Sequence, residues 1–275
     1  MYLSIADFLI EIRESRELSL FLKLFQVRKR SKTADIKIKI ENNSSVSLKN
    51  KKLIFKSEGF WRIYSWQNKI IFWDDFNEGR RFAIFNKGLS QGIYFDNANG
   101  EKILNPLSYP VGALLILNKL SQGKGIFLHA SGIRDENNGY IFCGPSGIGK
   151  TTIAKFWQEN KQGIVLNDDR VIVRKINNKF FAYGGPWYSK DNLFSNEKVE
   201  INKLFFLKQS RENFIRRLNS KEAFEKIVPQ AYFAIWDKSA IDFSFQFLED
   251  LCQKIPCFEL GFKPTKEVID FVRKV

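Results

Sequence analysis

The sequence predicts an α/β (α+β) protein, with an antiparallel, β-rich N-terminal region over residues 1–104 and a mixed-sheet core over 105–275. Three observations predict it. From Asp35 onward apolar residues recur at every second position, the period of a half-buried strand. An apolar strand, Tyr140–Cys143, feeds a glycine-rich loop and then a helical stretch. A second apolar strand, Gly163–Leu166, runs into Asn167-Asp168-Asp169.

Taken in order, residues 1–34 combine an amphipathic helix, expected from the spacing of Ile5, Phe8, Leu9 and Ile12, with a basic cluster at Lys23–Lys32. Strands are expected at Ile36–Ile40, Leu53–Lys56, Trp61–Trp66, Ile70–Trp73, Arg81–Phe85 and Gly92–Phe95. Turn-forming residues separate them at Asn42–Ser44, Gln67-Asn68, Asn77–Gly79 and Asn97–Gly100. Pro106–Leu120 reads as a buried helix. Ile126–His129 is a short strand, Thr151–Asn160 a helix, and Val171–Lys175 with Lys179–Tyr183 a hairpin around Asn177-Asn178. Then come a strand at Leu204–Leu207 and helices at Lys221–Val228 and Asp242–Lys254, the first capped by Asn219 with Glu222. Phe258–Leu260 and a short helix after Pro264 close the chain.

Composition narrows the function classes. Aromatic residues make up 15% of the chain, enough for a sizeable core and against disorder. No apolar run is long enough for a membrane span, and the N-terminus lacks the pattern of a signal peptide. Cys143, Cys252 and Cys257 have no metal-ligand spacing and leave an odd count, which points to a reduced, cytoplasmic setting. His129 is the only histidine, so a site of several histidines is excluded. The net charge of +14 is scattered rather than gathered in one stripe, so a nucleic-acid partner is not expected; a homo-oligomer is compatible with the sequence.

The chemistry lies in Gly144-Pro145-Ser146-Gly147-Ile148-Gly149-Lys150-Thr151, which satisfies G-x-x-x-x-G-K-[ST] between a strand and a helix. Glycines let consecutive backbone N–H groups turn inward around phosphates, and the helix N-terminus adds partial positive charge. In this pattern Lys150 reaches the β- and γ-phosphates of ATP, and the Thr151 hydroxyl can ligate Mg²⁺. Asp168 and Asp169, at the end of a nearby strand, can hold the metal, and one of them can take the proton of an attacking hydroxyl. A turn in which neither acts is the alternative. His129 closes a strand leading into the same region and is read evenly as structural or functional.

Together these residues resemble the HPr kinase/phosphorylase-related kinases of the wider phosphoenolpyruvate carboxykinase-like group. The likeness rests on Leu128-His129-Ala130-Ser131-Gly132, the glycine-rich loop with Thr151-Thr152, Leu166-Asn167-Asp168-Asp169-Arg170-Val171, and Tyr183-Gly184-Gly185-Pro186-Trp187. It covers roughly Asn105–Leu207. The resemblance implies a mixed-sheet P-loop kinase core of that type, with Gly144–Thr152 binding ATP and Thr151, Asp168 and Asp169 contacting Mg²⁺. It implies that Asp168, or else Asp169, is the base, that His129 positions acceptor or metal, and that Gly184, Gly185 and Trp187 line the acceptor side. No E-x-R-G-type signature follows the Asp pair, a departure that sets HPr itself apart as acceptor. The function implied is an ATP-dependent kinase acting on a serine-like hydroxyl of a protein, peptide or small molecule. A shikimate-kinase-like enzyme and an ATP-binding regulatory protein with little turnover are the alternatives.

Overall fold

The computed structural model of the chain describes residues 1–13, 17–28, 33–42, 45–76, 80–97, 103–159, 163–187 and 191–275. They fall into two compact units, Met1–Lys119 and Leu120–Val275.

The first unit contains β1 (Tyr2–Ile5), β2 (Phe8–Arg13), β3 (Glu17–Leu18), α1 (Leu20–Lys23), β4 (Gln26–Val27), β5 (Ile36–Glu41) and β6 (Lys52–Lys56). It continues with β7 (Trp61–Trp66), β8 (Lys69–Asp74), β9 (Arg81–Asn86), β10 (Gln91–Asp96), β11 (Ile103–Leu104) and α2 (Val111–Leu120). A nine-stranded sheet runs in the order β4-β1-β2-β5-β10-β9-β8-β7-β6. Alternation builds it: Ile36, Ile38 and Ile40 are buried on one face of β5 while Lys37 and Lys39 lie on the other.

Three expectations are corrected here. The N-terminal amphipathic helix is a β-hairpin, with Ile5 paired to Phe8 across Ala6-Asp7. Both turn residues have positive φ (49° and 61°), as a two-residue type I′ turn requires. Leu3 and Ile5 on one strand and Phe8, Ile10 and Ile12 on the other are all buried, so two period-two patterns across a turn imitate a helical spacing. Second, the region is not wholly antiparallel. β5 lies parallel to both β2 and β10, because it is inserted between an N-terminal hairpin and a later meander, and alternation carries no strand direction. Third, the helix expected from Pro106 begins at Val111. Pro110 lacks an N–H and suits a helix start, and the Leu107 backbone passes so close to Gly112 that any Cβ there would collide with it.

Of the expected turns, Gln67-Asn68 joins β7 to β8. Residues 43–44, 77–79 and 98–100 of the others, residues 29–32 of the basic cluster and residue 160 of the expected helix end lie outside the described residues.

The second unit contains β12 (Ile126–Asp135), β13 (Asn138–Cys143), α3 (Lys150–Glu159), β14 (Ile164–Asn167), β15 (Arg170–Ile176), β16 (Lys179–Tyr183) and β17 (Lys198–Gln209). It ends with β18 (Phe214–Leu218), α4 (Ser220–Ile227), β19 (Ala231–Tyr232), α5 (Lys238–Lys254), β20 (Cys257–Phe262) and α6 (Glu267–Arg273). Its mixed sheet follows β13-β12-β15-β16-β17-β20-β18, and β13 also pairs with β17, in parallel. Alternate residues serve two cores. Ile141 and Cys143 of β13 with Leu204 and Phe206 of β17 face the cluster that includes α4 and α5. Tyr140, Phe142, Phe205 and Leu207 face the cluster that includes Trp157 of α3 and Val268 of α6. The Asn219/Glu222 capping box opens α4, as expected. Strand β18 was not anticipated; Arg216 and Arg217 break its apolar pattern. Among the described residues no helix is long and apolar enough to cross a membrane.

Phe205 sits between Phe142 (centroids 5.2 Å) and Phe258 (5.6 Å) and is wholly buried beneath α3 and α6. Phe205→Ala is expected to cost about 3–5 kcal/mol, read from the denaturant midpoint; a loss below about 1 kcal/mol contradicts this packing.

Candidate functional site

Strand β13 delivers the chain into a tight loop, and α3 begins at Lys150. The loop holds three glycines in the positive-φ region, Gly144 (154°), Gly147 (80°) and Gly149 (117°). At Gly149 a Cβ would lie 2.6 Å from the Phe262 ring, so conformation and space both require glycine. Ile148 N–H donates to the Pro145 carbonyl at 3.3 Å. Ser146 and Gly147 are exposed at the tip; Thr151 is half-buried and Thr152 exposed on the first turn of α3. The opening N–H groups of a helix have no intrahelical acceptors, so this end of α3 is chemically suited to an anion.

Lys150 is nearly buried, at 6% exposure, and folds back over the loop. Its Nζ donates to the carbonyls of Gly144 (2.8 Å) and Pro145 (3.1 Å). Burial pulls its pKa down, opposed by Cys143 and Asp169. Ala130 pairs with Cys143 at the foot of the loop and donates its N–H to the Asp169 carbonyl at 3.2 Å, which brings the acidic turn alongside the loop.

That turn is built by Asn167, at the end of β14 and fully buried. Its side-chain oxygen accepts from the backbone N–H of Asp169 (2.9 Å) and Arg170 (2.7 Å). Its amide nitrogen donates to the carbonyls of Gly185 (3.1 Å) and Trp187 (2.8 Å). Asp168 is buried at 2% exposure, and its backbone carbonyl accepts from the Ser131 hydroxyl at 3.4 Å. The Asp169 side chain is 23% exposed; its Oδ1 lies 3.6 Å from His129 Nε2 and its Oδ2 3.6 Å from Arg170 Nη1.

His129 reaches this turn because β12 and β15 pair antiparallel with His129 opposite Arg170. Burial lowers its pKa first, and Lys150 and Arg170 add to the depression while Asp169 opposes it. The ring is therefore neutral at neutral pH, and its approach to Asp169 is a polar contact rather than an ion pair. At 3.6 Å it falls just outside direct hydrogen-bond length.

The structure thus brings Lys150, His129, Asp169 and Arg170 together, with Asp168 buried in the same turn. Gly184, Gly185 and Trp187, expected to line an acceptor, are all buried. A Cβ at Gly184 would collide with the Ser195 carbonyl oxygen, and Trp187 packs edge-on against Phe127 at 5.7 Å. In this structure they form the packing behind the acidic turn.

Two further residues join the cluster. Asn167 carried a local signal, an Asn at a strand end whose side chain caps the next turn. Tyr232 carried none. It lies on β19, which pairs with β12, and its ring centroid is 6.4 Å from that of His129 and 5.8 Å from the Arg170 guanidinium carbon.

No family model matches the chain, and no curated protein matches it. Among solved structures, it is similar to the Hpr(Ser) kinase/phosphatase from Coxiella burnetii at 11% identity, over 54% of this chain and 88% of that one, with a TM-score of 0.34. A likeness that remote leaves the function to the geometry of the site.

Because His129 is the only histidine, its ring gives one imidazole signal in NMR. Its midpoint is expected below the ordinary 6.5. Asp169→Asn should lower it further, and Lys150→Ala should raise it. The unfolded imidazole takes up its proton first as pH falls, so this group costs stability below about 6.5. A midpoint above 6.5, or shifts of opposite sign in the variants, contradicts the described cluster.

Proposed function

We propose that the chain is an ATP-dependent kinase that transfers the γ-phosphoryl group to a serine-like hydroxyl, in the manner its resemblance to HPr kinase-related enzymes implies. One observation carries the reading: Lys150 folds over a glycine-rich loop at a helix N-terminus, beside a turn whose Asp169 carboxylate lies 3.6 Å from the His129 ring.

In this reading the loop amides and the start of α3 bind the triphosphate oxygens. Lys150 exchanges the Gly144 and Pro145 carbonyls for the phosphates. A lysine whose charge is poorly solvated before binding gains more from an anion than an exposed one would. The donor set around the loop, the Thr151 hydroxyl with the carboxylates of Asp168 and Asp169, is all oxygen and fits Mg²⁺, which needs only one or two carboxylates beside phosphate and water. Among the described residues no group of three or more His, Cys, Asp and Glu suits a metal held by protein alone. When bound, Mg²⁺ would neutralise charge on the triphosphate.

The acceptor hydroxyl oxygen attacks the γ-phosphorus as the bond to the β-bridging oxygen breaks, and ADP leaves with that electron pair. The hydroxyl proton passes to a carboxylate. The partly exposed Asp169 is the better placed of the pair to meet an acceptor from solvent, whereas Asp168, favoured from the sequence, is buried. Neutral His129 can donate to or accept from the acceptor, and Arg170 Nη1 lies 3.6 Å from the other oxygen of the Asp169 carboxylate.

Lys150→Ala is expected to lower ATP turnover by more than about tenfold while circular dichroism stays unchanged. Asp169→Asn should keep nucleotide binding and lose about 10²–10⁴-fold in transfer, because an amide cannot take the proton. Loss in Asp168→Asn but not in Asp169→Asn would reverse their roles. Full activity in both variants would refute the base assignment altogether.

A further inference from the structure

The first unit carries a second polar feature, independent of the phosphoryl-transfer reading. One end of its large sheet holds a cleft of about 510 Å³ whose lining includes Lys39, Trp66, Lys69, Ile84, Asn86 and Ile93 and no Asp or Glu. Strand register explains the grouping. Lys39, Ile93 and Ile84 are neighbours across β5, β10 and β9. Asn86, Lys69 and Trp66 are neighbours across β9, β8 and β7. Side chains facing one way in adjacent strands therefore set two lysines on a floor of half-buried isoleucines.

Positive charge concentrates around Trp66. Lys51 Nζ lies 4.1 Å and Lys69 Nζ 5.2 Å from its ring centroid. Lys39 pairs with Glu41 at 2.8 Å, but its side chain is 64% exposed, and such exposed pairs are weak enough to exchange partners.

We propose that this cleft docks an extended acidic segment of a partner polypeptide, its carboxylates on Lys39 and Lys69 and an apolar side chain between them on Ile84 and Ile93. The spacing supports that occupant. The strands bearing the two lysines are three intervals apart, about 14 Å, which an extended peptide covers in about four residues. The isoleucine floor suits an aliphatic side chain. Single-stranded nucleic acid relies on successive open aromatic faces, whereas Trp66 is one ring already attended by two ammonium groups.

The test uses the full chain and a fluorescein-labelled dodecapeptide with Glu at every fourth position among Leu, Ser and Gly. Its controls are the same peptide with Gln in place of Glu and an oligothymidylate of equal length. Fluorescence anisotropy at about 0.1 M salt should show binding of the acidic peptide and not of the Gln version. The double variant Lys39→Glu/Lys69→Glu should weaken binding at least about tenfold. Lys221→Glu/Lys238→Glu, equal in net charge but outside the cleft, should leave it within about twofold. Equal loss in both double variants, no binding of the acidic peptide, or tighter binding of the oligothymidylate with the same dependence on Lys39 and Lys69 would overturn the proposal. ATP turnover is indifferent to every one of these outcomes, so the two readings fail separately.

Discussion

The candidate site depends on the side chain of Asn167. It is fully buried, and all four of its hydrogen bonds run to backbone. Two fix the start of the turn that carries Asp168, Asp169 and Arg170; the other two clamp that turn to Gly185 and Trp187. Aspartate could accept the two N–H bonds but could not donate to the two carbonyls, and a buried carbonyl left unpaired costs about 1–3 kcal/mol. Asn167 thus joins the end of β14 to the segment after β16, and the position of Asp169 relative to His129 and Lys150 follows from it.

Around that anchor the electrostatics are set by burial. Lys150 is kept close to carbonyl oxygens and partly stripped of water, and its charge with that of Arg170 discourages a proton on His129. The result is a neutral ring beside an acidic side chain and a cation resting on a loop whose glycines leave the backbone open.

Much of this was legible in the sequence, for physical reasons that also mark the limits. The strand at Ile36–Ile40 stands out because buried isoleucines on one face alternate with lysines on the other. The loop Gly144–Lys150 is visible because its backbone needs glycine at fixed intervals. The N-terminal hairpin was hidden because a two-residue turn placed Ile5, Phe8, Leu9 and Ile12 at helix-like spacing. Strand direction was equally invisible, since β5 alternates identically whether its neighbours are parallel or antiparallel. Tyr232 joins His129 only through the pairing of β19 with β12, a long-range contact without a local trace. The contrast between buried Asp168 and partly exposed Asp169 depends on how the turn after Asn167 is held, which adjacent identical residues do not reveal.

Phosphoryl transfer to a hydroxyl leaves a product that identifies it. The protein would be incubated with γ-labelled ATP, Mg²⁺ and a panel of hydroxyl acceptors that includes free serine and serine-containing peptides, and the labelled species identified by mass. Label is expected in an O-phosphate ester of one acceptor, together with stoichiometric ADP. Label found only in untouched ATP or in inorganic phosphate, whatever acceptor is offered, would contradict transfer to a hydroxyl.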